Sequence, residues 1–287
     1  MMNTVRHQLK DHSYSFIFLL FTVLSIVLLS FFLFSSYRQT YDIIKISTEN
    51  EAHVLASRMD SVLRRIRASS ELINENIIQE TLIGSIDPAH VARINKRLDA
   101  LSRYFPEIFG YIFFDAEGQA LFWSHEKFAK VSIADQRYFL QIKEQHRRGD
   151  IYFTETITDE AAQTRTITVC QPLLDSKEQW LGMVSTPIDL HFFFFFFAKM
   201  NVGTQGMVSM RRSDPCQLVV RWPHVESGLN REARDIPPQL QIQAGREEGV
   251  VRYVGRTDGV DRIFAFHKTP NFPFYVLVGR AVSEQFA

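Results

Sequence analysis

The residue types that most often carry catalysis or bind metals are spread along this chain without a recognisable spacing. The nine histidines form no H-x-H or H-E-x-x-H pattern, the cysteines form no C-x-x-C pattern, and no serine lies in a G-x-S-x-G motif. Acidic pairs fall in predicted turns and helices, where a solvated charge is the usual role. We therefore expect no catalytic residue, no metal ligand and no cofactor, and we expect that the chain is not an enzyme.

The composition argues against two further classes of protein. The 287 residues include 32 basic and 32 acidic side chains, and this balance argues against a nucleic-acid-binding protein, which would carry a basic surplus. Cys170 and Cys216 are too few for a disulfide scaffold. They could pair in an oxidising compartment, but their separation in sequence favours two small buried hydrophobic residues.

The apolar run at residues 16–34 is the element around which the chain is organised. It contains no charge, glycine or proline, and as a helix it would span about 28 Å, close to the hydrocarbon thickness of a bilayer. A buried core helix is one alternative, but such helices are rarely apolar on every side. A cleaved signal peptide is the other, but its apolar region is usually shorter. We expect an uncleaved membrane anchor, with residues 1–15 as a cytoplasmic tail and residues 16–37 as the transmembrane helix.

Residues 38–86 are predicted to form a long stalk helix. They contain no proline and, before Gly84, no glycine, and their apolar residues recur at helical spacing. The members of this apolar stripe are Leu55, Met59, Val62, Ile66, Ile73 and Ile77. The stripe could pack on the chain's own domain, or it could pair with a second copy and carry movement to the membrane. Both can hold along different lengths of the helix.

After a break at residues 84–86, the pattern predicts a lobe that mixes helices with antiparallel strands. Asp87 and Pro88 form a helix start, as N-cap and first helical residue, and this helix is expected to end near Pro106. The remaining predicted elements are strands at 111–114 and Ala120–Trp123, a helix opened by a capping box at 132–135 and ending near His146, and strands at 151–158, Thr164–Leu174 and 180–190. This order is typical of a PAS-like α/β lobe.

A second, smaller lobe is predicted after a connecting helix at 191–200. Six consecutive phenylalanines in this helix cannot all face one side, so we expect most to pack between the two lobes and some to be exposed or to meet a partner. The predicted strands of the second lobe are 206–210, 217–222, 249–255, 263–268 and 274–279, with a polar loop at 225–244.

Three segments carry a resemblance to a known family: SIADQRYF at 132–139, WLGMVSTPIDL at 180–190 and VGTQGMVSM at 202–210. With the anchor, the long helix and the two lobes, they resemble the double Cache extracytoplasmic sensor domain of bacterial membrane diguanylate cyclases and sensor histidine kinases. The resemblance implies an α+β fold with a membrane-distal lobe at 87–200 and a membrane-proximal lobe at 201–287, each PAS-like with an antiparallel sheet.

The resemblance also implies a location and a site. Such domains lie outside the cytoplasm, here on the periplasmic side of the bacterial inner membrane, and bind a small molecule in the distal lobe. From the apolar stripe we expect a homodimer through the stalk helix. We take the orientation from the resemblance, because basic residues are balanced on the two sides of the anchor. The candidate ligand-binding residues, by position, are Trp123, Arg137, Tyr138, Tyr152, Thr154, Arg165, Thr168 and Asp189.

An arginine and aromatic rings in one cleft would suit a carboxylate ligand. The guanidinium offers a planar fork of donors, and the rings supply apolar walls. Two of these candidates also have a purely structural explanation. Tyr138 could belong to the core, and Arg165, which lies in a predicted strand, could be solvated.

The sequence departs from the family plan at its end, where a second membrane helix and an output domain usually follow. It contains no GGDEF motif, no phosphate-binding loop and no kinase motif. We therefore expect the sensor half of a signalling protein, first of all a diguanylate cyclase, without its output domain. The alternative is a membrane-tethered interaction protein that scaffolds another membrane component and binds no small molecule.

One prediction concerns a ligand that should not bind. Amino-acid-binding relatives carry an arginine two residues before the aromatic pair and an aspartate near the end of the third hairpin strand, and these positions hold Gln136 and Pro187 here. Arg137 would point about 100° away on a helix, whereas Asp189 could share a strand face with Pro187. We predict that the chain does not bind free amino acids in that manner. In a calorimetric titration, tight amino-acid binding that is abolished by Gln136→Ala would contradict this.

Overall fold

A computed structural model of the chain describes residues 2–83, 87–159, 164–224 and 229–285, and for residues 2–17, 76–83 and 159 it describes only the backbone. The helices are α1 (Met2–Ile83), α2 (Pro88–Ser102), α3 (Arg137–Gln145), α4 (Leu190–Ala198), α5 (Pro237–Gln243) and α6 (Val282–Gln285), with one 3₁₀ turn at Glu126–Phe128. The strands are β1 (Ile112–Asp115), β2 (Ala120–Trp123), β3 (Tyr152–Phe153), β4 (Ile157–Asp159), β5 (Thr164–Leu174), β6 (Trp180–Asp189), β7 (Met207–Arg212), β8 (Leu218–Trp222), β9 (Glu248–Val254), β10 (Asp261–Lys268) and β11 (Phe274–Ala281).

The predicted membrane anchor and stalk are one helix. Helix α1 has 82 residues, which corresponds to a length of about 120 Å. Between Phe18 and Phe34 every side chain is exposed except that of Thr22, whose hydroxyl donates to the carbonyl of Phe18 (2.9 Å). This part of α1 is long and apolar enough to cross a membrane. The alternative of a buried core helix is therefore wrong for Phe18 to Phe34. The predicted break at 84–86 lies outside the described residues.

Beyond the apolar segment, one face of α1 is buried against the chain's own two lobes. The predicted stripe from Leu55 to Ile73 is buried, and it belongs to a core cluster that also contains residues of both sheets and of α4. The side chain of Ile77 lies outside the described part. The stripe therefore packs intramolecularly, as the first of the two interpretations states. Helical residues spaced three and four apart share a face, so the face of α1 opposite the buried stripe points away from the lobes.

The distal lobe is a sheet of six strands in the order β2-β1-β6-β5-β3, with β4 also paired to β5, all antiparallel. Helices α1 and α2 cover one face, and α3 with the loop before it covers the other. The predicted cap is confirmed, because the Asp87 carboxylate accepts from the backbone N–H of His90 (2.7 Å) and Pro88 follows as the first helical residue.

Three predicted boundaries in the distal lobe are wrong. Helix α3 begins at Arg137, so Ser132 does not cap it; the Ser132 hydroxyl instead accepts from the side chain of Gln119 (2.9 Å), beside a short bridge between the two residues. The predicted strand at 151–158 is interrupted and forms β3 and β4. Helix α2 ends at Ser102, before the predicted end near Pro106.

The proximal lobe is a five-stranded antiparallel sheet in the order β8-β7-β11-β10-β9. Helix α1 packs on one face, with α4 beside it, and α5 covers part of the other. The prediction of a loop throughout 225–244 is wrong, because α5 lies within it. Its first residues are Pro237 and Pro238, and proline is tolerated there because the first N–H groups of a helix have no intrahelical acceptor.

Aromatic residues join the two lobes. Phe193 and Phe197 of α4 are buried in the shared core, whereas Phe195 is 62% exposed. This confirms the expectation that most of the phenylalanine run packs inward. Phe153 of the distal lobe meets Phe274 of the proximal lobe edge to face, with ring centroids 4.8 Å apart. Cys170 and Cys216 are both free and buried, as predicted.

The shared core predicts how single truncations change stability. Ile66→Ala should lower the free energy of unfolding by about 2–5 kcal/mol, because Ile66 is fully buried between α1 and the lobes. Leu140→Ala on α3 is the control; its side chain is 48% exposed, so its effect should stay within about 0.5 kcal/mol. Thermal unfolding of the purified chain in detergent checks both. Equal effects of the two substitutions would contradict the packing of the stripe on its own lobes.

Candidate functional site

The structure brings together three of the eight candidate ligand-binding residues. Trp123, Tyr138 and Tyr152 pack around one apolar cluster on the face of the distal sheet that α3 covers. The indole N–H of Trp123 faces the carboxylate of Glu126 (3.4 Å), and the phenol of Tyr152 donates to Asp150 (2.9 Å). Desolvation, the hydrogen bond to Asp150 and its charge together raise the pKa of Tyr152 to about 12. These three residues line one side of the same apolar cluster, and the polar groups of Trp123 and Tyr152 are bonded within the protein.

The other five candidates are distributed over different environments. Thr154 and Thr168 are buried and bonded to each other, with the Thr168 N–H donating to the Thr154 hydroxyl (3.0 Å). Arg137 is exposed at the start of α3. Asp189 caps α4 by accepting from the N–H of His191 (2.8 Å). Their assignment to ligand binding stays a prediction.

Arg165 lies in a cleft between the lobes. Its Nη1 is 2.9 Å from Nε2 of His224, and the cleft has a volume of about 540 Å³. It is therefore separated from the aromatic wall of the distal lobe. Gln136 is exposed and gives α3 no side-chain cap, and Pro187 is buried opposite Thr168 in the sheet.

Several arginines line one cavity in the proximal lobe. It has a volume of about 460 Å³ and lies on the face of the sheet away from α1, under the segment that leads into α5 and beside the turn between β9 and β10. Two carboxylates line it, Asp258 and Glu232. The arginines that line it are Arg211, Arg221, Arg231, Arg256 and Arg262. We call this site the arginine cavity, and its lining carries more positive than negative charge.

Strand alternation explains how these side chains meet. On β7, Val208 and Met210 point into the core beside α1, so Arg211 points to the other face. On β10, Ala265 points to the same core, which places Arg262 and Phe264 on the cavity side. The face of the proximal sheet that does not meet α1 is therefore the face that carries the guanidinium groups.

Asp258 holds two of these guanidinium groups. Arg262 binds it through Nη1 and Nη2 (both 2.9 Å), and Arg221 binds it through Nη2 (2.7 Å). The side chains of both arginines are nearly fully buried, 3% and 7% exposed. Partial burial opposes ionisation of Asp258, but the hydrogen bonds and charge of Arg262, with help from Val260 N–H and Arg221, lower its pKa to about 2. Burial lowers the pKa of Arg221, and Asp258 opposes that change.

Several donors of the cavity have no acceptor. Among the described residues, buried Nε and Nη1 of Arg211 and Nε of Arg221 have no hydrogen-bond partner. A buried charged donor without an acceptor is costly, by about 1–3 kcal/mol or more. Tyr253 stacks on Phe264 beside them, with centroids 4.4 Å apart, and burial raises its pKa to about 12, so its phenol stays neutral at physiological pH. The arrangement can receive an anion that accepts several hydrogen bonds.

Sequence reasoning missed the arginine cavity. The available signal was an arginine inside each of three apolar strands, Arg211, Arg221 and Arg262. An arginine in a strand more often faces solvent, the alternative considered for Arg165, and a strand pattern alone does not distinguish that case from a buried arginine. The three arginines line one cavity because β7, β8 and β10 belong to the same sheet. The sequence does not show how these strands are arranged.

Comparison with known proteins identifies the fold. No protein-family model and no curated protein sequence matches the chain. The extracellular domain of a protein described as a histidine kinase, rpHK1S-Z16, superposes with a TM-score of 0.73 at 20% identity, covering 83% of this chain and 95% of that domain. The periplasmic sensory domain of the Campylobacter jejuni chemoreceptor Tlp1 gives a TM-score of 0.68 at 15% identity, covering 86% and 98%.

A third structure is a complex with a small molecule. The ligand-binding domain of the Pseudomonas fluorescens chemoreceptor CtaA, solved with L-isoleucine, gives a TM-score of 0.64 at 16% identity, covering 88% of this chain and 98% of that domain. The two-lobed α+β fold is thereby confirmed, and its likeness to these extracellular and periplasmic sensory domains is consistent with the double Cache resemblance. At these identities the likeness establishes the fold, and site residues have to be argued from this chain alone.

The pKa of Asp258 predicts a pH-dependent effect on stability. At pH 7 Asp258→Asn should lower the free energy of unfolding by about 1–3 kcal/mol, because two buried guanidinium groups lose their anion. The pKa lies below the usual 3.8 in the folded chain, so the stabilisation is present above pH 4 and is lost as the pH falls toward 2. Urea unfolding of both proteins from pH 7 to pH 2.5 should show the difference narrowing below pH 4.

Asp261→Asn is the control for this series. Asp261 pairs with Arg252 at the surface, where both side chains are about 40% exposed, so its loss should cost under about 1 kcal/mol. A constant difference between Asp258→Asn and the unsubstituted chain at all pH values would refute the assignment.

Proposed function

We propose that this chain is the membrane-anchored, extracytoplasmic sensor domain of a bacterial signal-transduction protein, and that it senses a small anionic molecule. The fold, shared with sensory domains of histidine kinases and chemoreceptors, supports the sensor role. The observation that carries the ligand class is the arginine cavity, in which buried guanidinium donors lack acceptors. A carboxylate or a similar oxyanion would supply those acceptors with bidentate geometry.

The apolar part of α1 supports the membrane anchor. An exposed helical surface of this length, free of charge, is satisfied by lipid and not by water. We place residues 1–15 in the cytoplasm and the lobes in the periplasm, with the anchor in the inner membrane, following the resemblance to extracytoplasmic sensors. The chain itself performs no catalysis in this proposal. Its output is first expected to be a diguanylate cyclase, and a histidine kinase is the second expectation.

The outward face of α1 supports a homodimer. Ile43, Val54 and Leu72 are exposed aliphatic residues on this face, and their spacings of 11 and 18 residues place them within about 20° of one another around the helix. An apolar cleft of about 530 Å³ between α1 and α2 continues this surface. A second copy packed along this stripe would cover it.

The position of the arginine cavity indicates how a ligand would act. The cavity and α1 lie on opposite faces of the same proximal sheet, so a shift of β7 or β10 toward an anion changes the surface on which α1 packs. A ligand changes the signalling state only if it binds two arrangements with different affinity. The Arg211 N–H groups without acceptors supply such a difference. An arrangement of the strands that closes around an anion gives these groups acceptors, and so it would bind the anion more tightly than an open one.

Thermal-shift measurements on the full chain in detergent test the ligand class. We expect succinate, citrate or inorganic phosphate to raise the melting temperature by about 5–10 °C at a concentration of 100 times Kd. Glucose and putrescine serve as neutral and cationic probes and should give no shift. Arg211→Met, which keeps the apolar stem and removes the donors, should abolish the shift while the chain still folds.

Arg252→Met is the matched control, because Arg252 lies in β9 of the same lobe, pairs with Asp261 and does not line the cavity. It should respond to anions like the unsubstituted chain. No response to any anion would reject the anionic ligand and favour the alternative of a tethered scaffold. An unchanged response of Arg211→Met would reject the arginine cavity as the site that binds the anion.

A further inference from the structure

Three side chains from distant parts of the sequence form a group at the junction of α1 and the proximal sheet. His53 lies on α1, and His267 and Glu248 are directly opposed partners on β10 and β9. Nδ1 of His53 is 2.9 Å from Nε2 of His267, and Oε2 of Glu248 is 3.1 Å from the same nitrogen. Among the described residues, this group brings its ligand atoms within 4.8 Å of one another.

The hydrogen bonding of His267 leaves a lone pair at the centre of the group. Nδ1 of His267 lies 2.8 Å from the carbonyl oxygen of Lys268, and because a carbonyl only accepts, Nδ1 carries the proton. In the neutral ring Nε2 is then an acceptor that faces the Glu248 carboxylate, which is also an acceptor. Two acceptors at 3.1 Å repel each other, and a cation between them removes the repulsion. A backbone carbonyl that orients the ring in this way is the usual support of a metal-bound histidine.

The distances suit a small transition-metal ion. Tetrahedral zinc holds nitrogen and oxygen ligands at about 2.0–2.2 Å, so that neighbouring ligand atoms are about 3.3–3.5 Å apart. Two of the observed separations, 2.9 and 3.1 Å, differ from this by a few tenths of an ångström, and the third pair of ligand atoms lies within 4.8 Å. Small rotations of His53 and Glu248, whose side chains are exposed, can supply the difference. Two imidazoles and one carboxylate favour zinc or copper over magnesium or calcium, which prefer oxygen ligands.

We propose that His53, Glu248 and His267 bind a divalent transition-metal ion, which fastens α1 to the edge of the proximal sheet. His267 is mostly buried, and the other two ligands face solvent, so the fourth position is open to water. His53 lies 19 residues beyond Phe34, about 28 Å along the helix from the end of the apolar run. Metal occupancy would fix α1 against the proximal lobe at this distance from the apolar run and make the stalk less free to shift.

The test uses the full chain purified without a histidine tag, freed of metal with a chelator and held at pH 7.5. We expect calorimetry to show one Zn²⁺ per chain and Co²⁺ to give the visible absorption of a tetrahedral nitrogen and oxygen site. Mg²⁺ at the same concentration should not bind. His53→Gln, which alters an exposed residue and should leave the fold intact, is expected to weaken Zn²⁺ binding by a factor of about 100 or more.

Glu248→Gln and Glu247→Gln are a matched pair, because the two residues are neighbours and both are exposed. Only Glu248→Gln should weaken Zn²⁺ binding. Zn²⁺ binding that is equal in both glutamate variants, or that survives His53→Gln, would overturn the proposal and leave a plain hydrogen bond between the two histidines. No residue of the arginine cavity is a ligand of the proposed metal site. The outcome of the Zn²⁺ titration is therefore independent of the response to anions.

Discussion

The packing of one face of α1 against both sheets is the interaction on which the rest of the structure depends. Each sheet has an apolar face that no other element covers fully, and the same buried stripe of α1, with α4, closes both. Ser70 on α1 is bonded to Thr186 of β6 (3.0 Å) in the distal lobe, and Asp60 accepts from the N–H of Asn271 (2.9 Å) in the proximal lobe. Because burial of apolar surface is the main stabilising contribution to folding, the two lobes are held as one body by this helix.

This constraint arranges the functional features along a single helix. The lipid-compatible segment, the proposed metal ligand His53 and the buried stripe follow one another on α1. The arginine cavity is one sheet away from the helix, on the opposite face of the strands that pack on it. An anion that moved these strands and a metal that fixed His53, as proposed, would therefore act on the same element. A helix without a break between its apolar segment and the lobes can carry such a change as a rigid unit.

The sequence predicted most of the fold because local patterns decide most of it. The bounds of β2 and β5 agree with the prediction, and the spacing of the α1 stripe identified its buried face. The prediction failed at Ser132, whose hydroxyl bonds to Gln119 and does not cap α3. It also failed at α5, because two prolines at the start of this helix are typical of a loop as well. The candidate sites could not be predicted in this way. His53 and His267 are 214 residues apart, and their meeting depends on how the helix docks on the sheet, which no local pattern encodes.

Native-state hydrogen exchange of the full chain, with and without Ile66→Ala, tests most directly whether α1 joins the lobes into one cooperative unit. Amides of α1 beyond Ile44, of β6 and of β10 should exchange through a common opening with one free energy. Ile66→Ala should lower protection in Phe264 and His267 of the proximal lobe as much as in Val184 and Ile188 of the distal lobe. Unchanged protection of the proximal amides in this variant would contradict the account, since the lobes would then unfold independently.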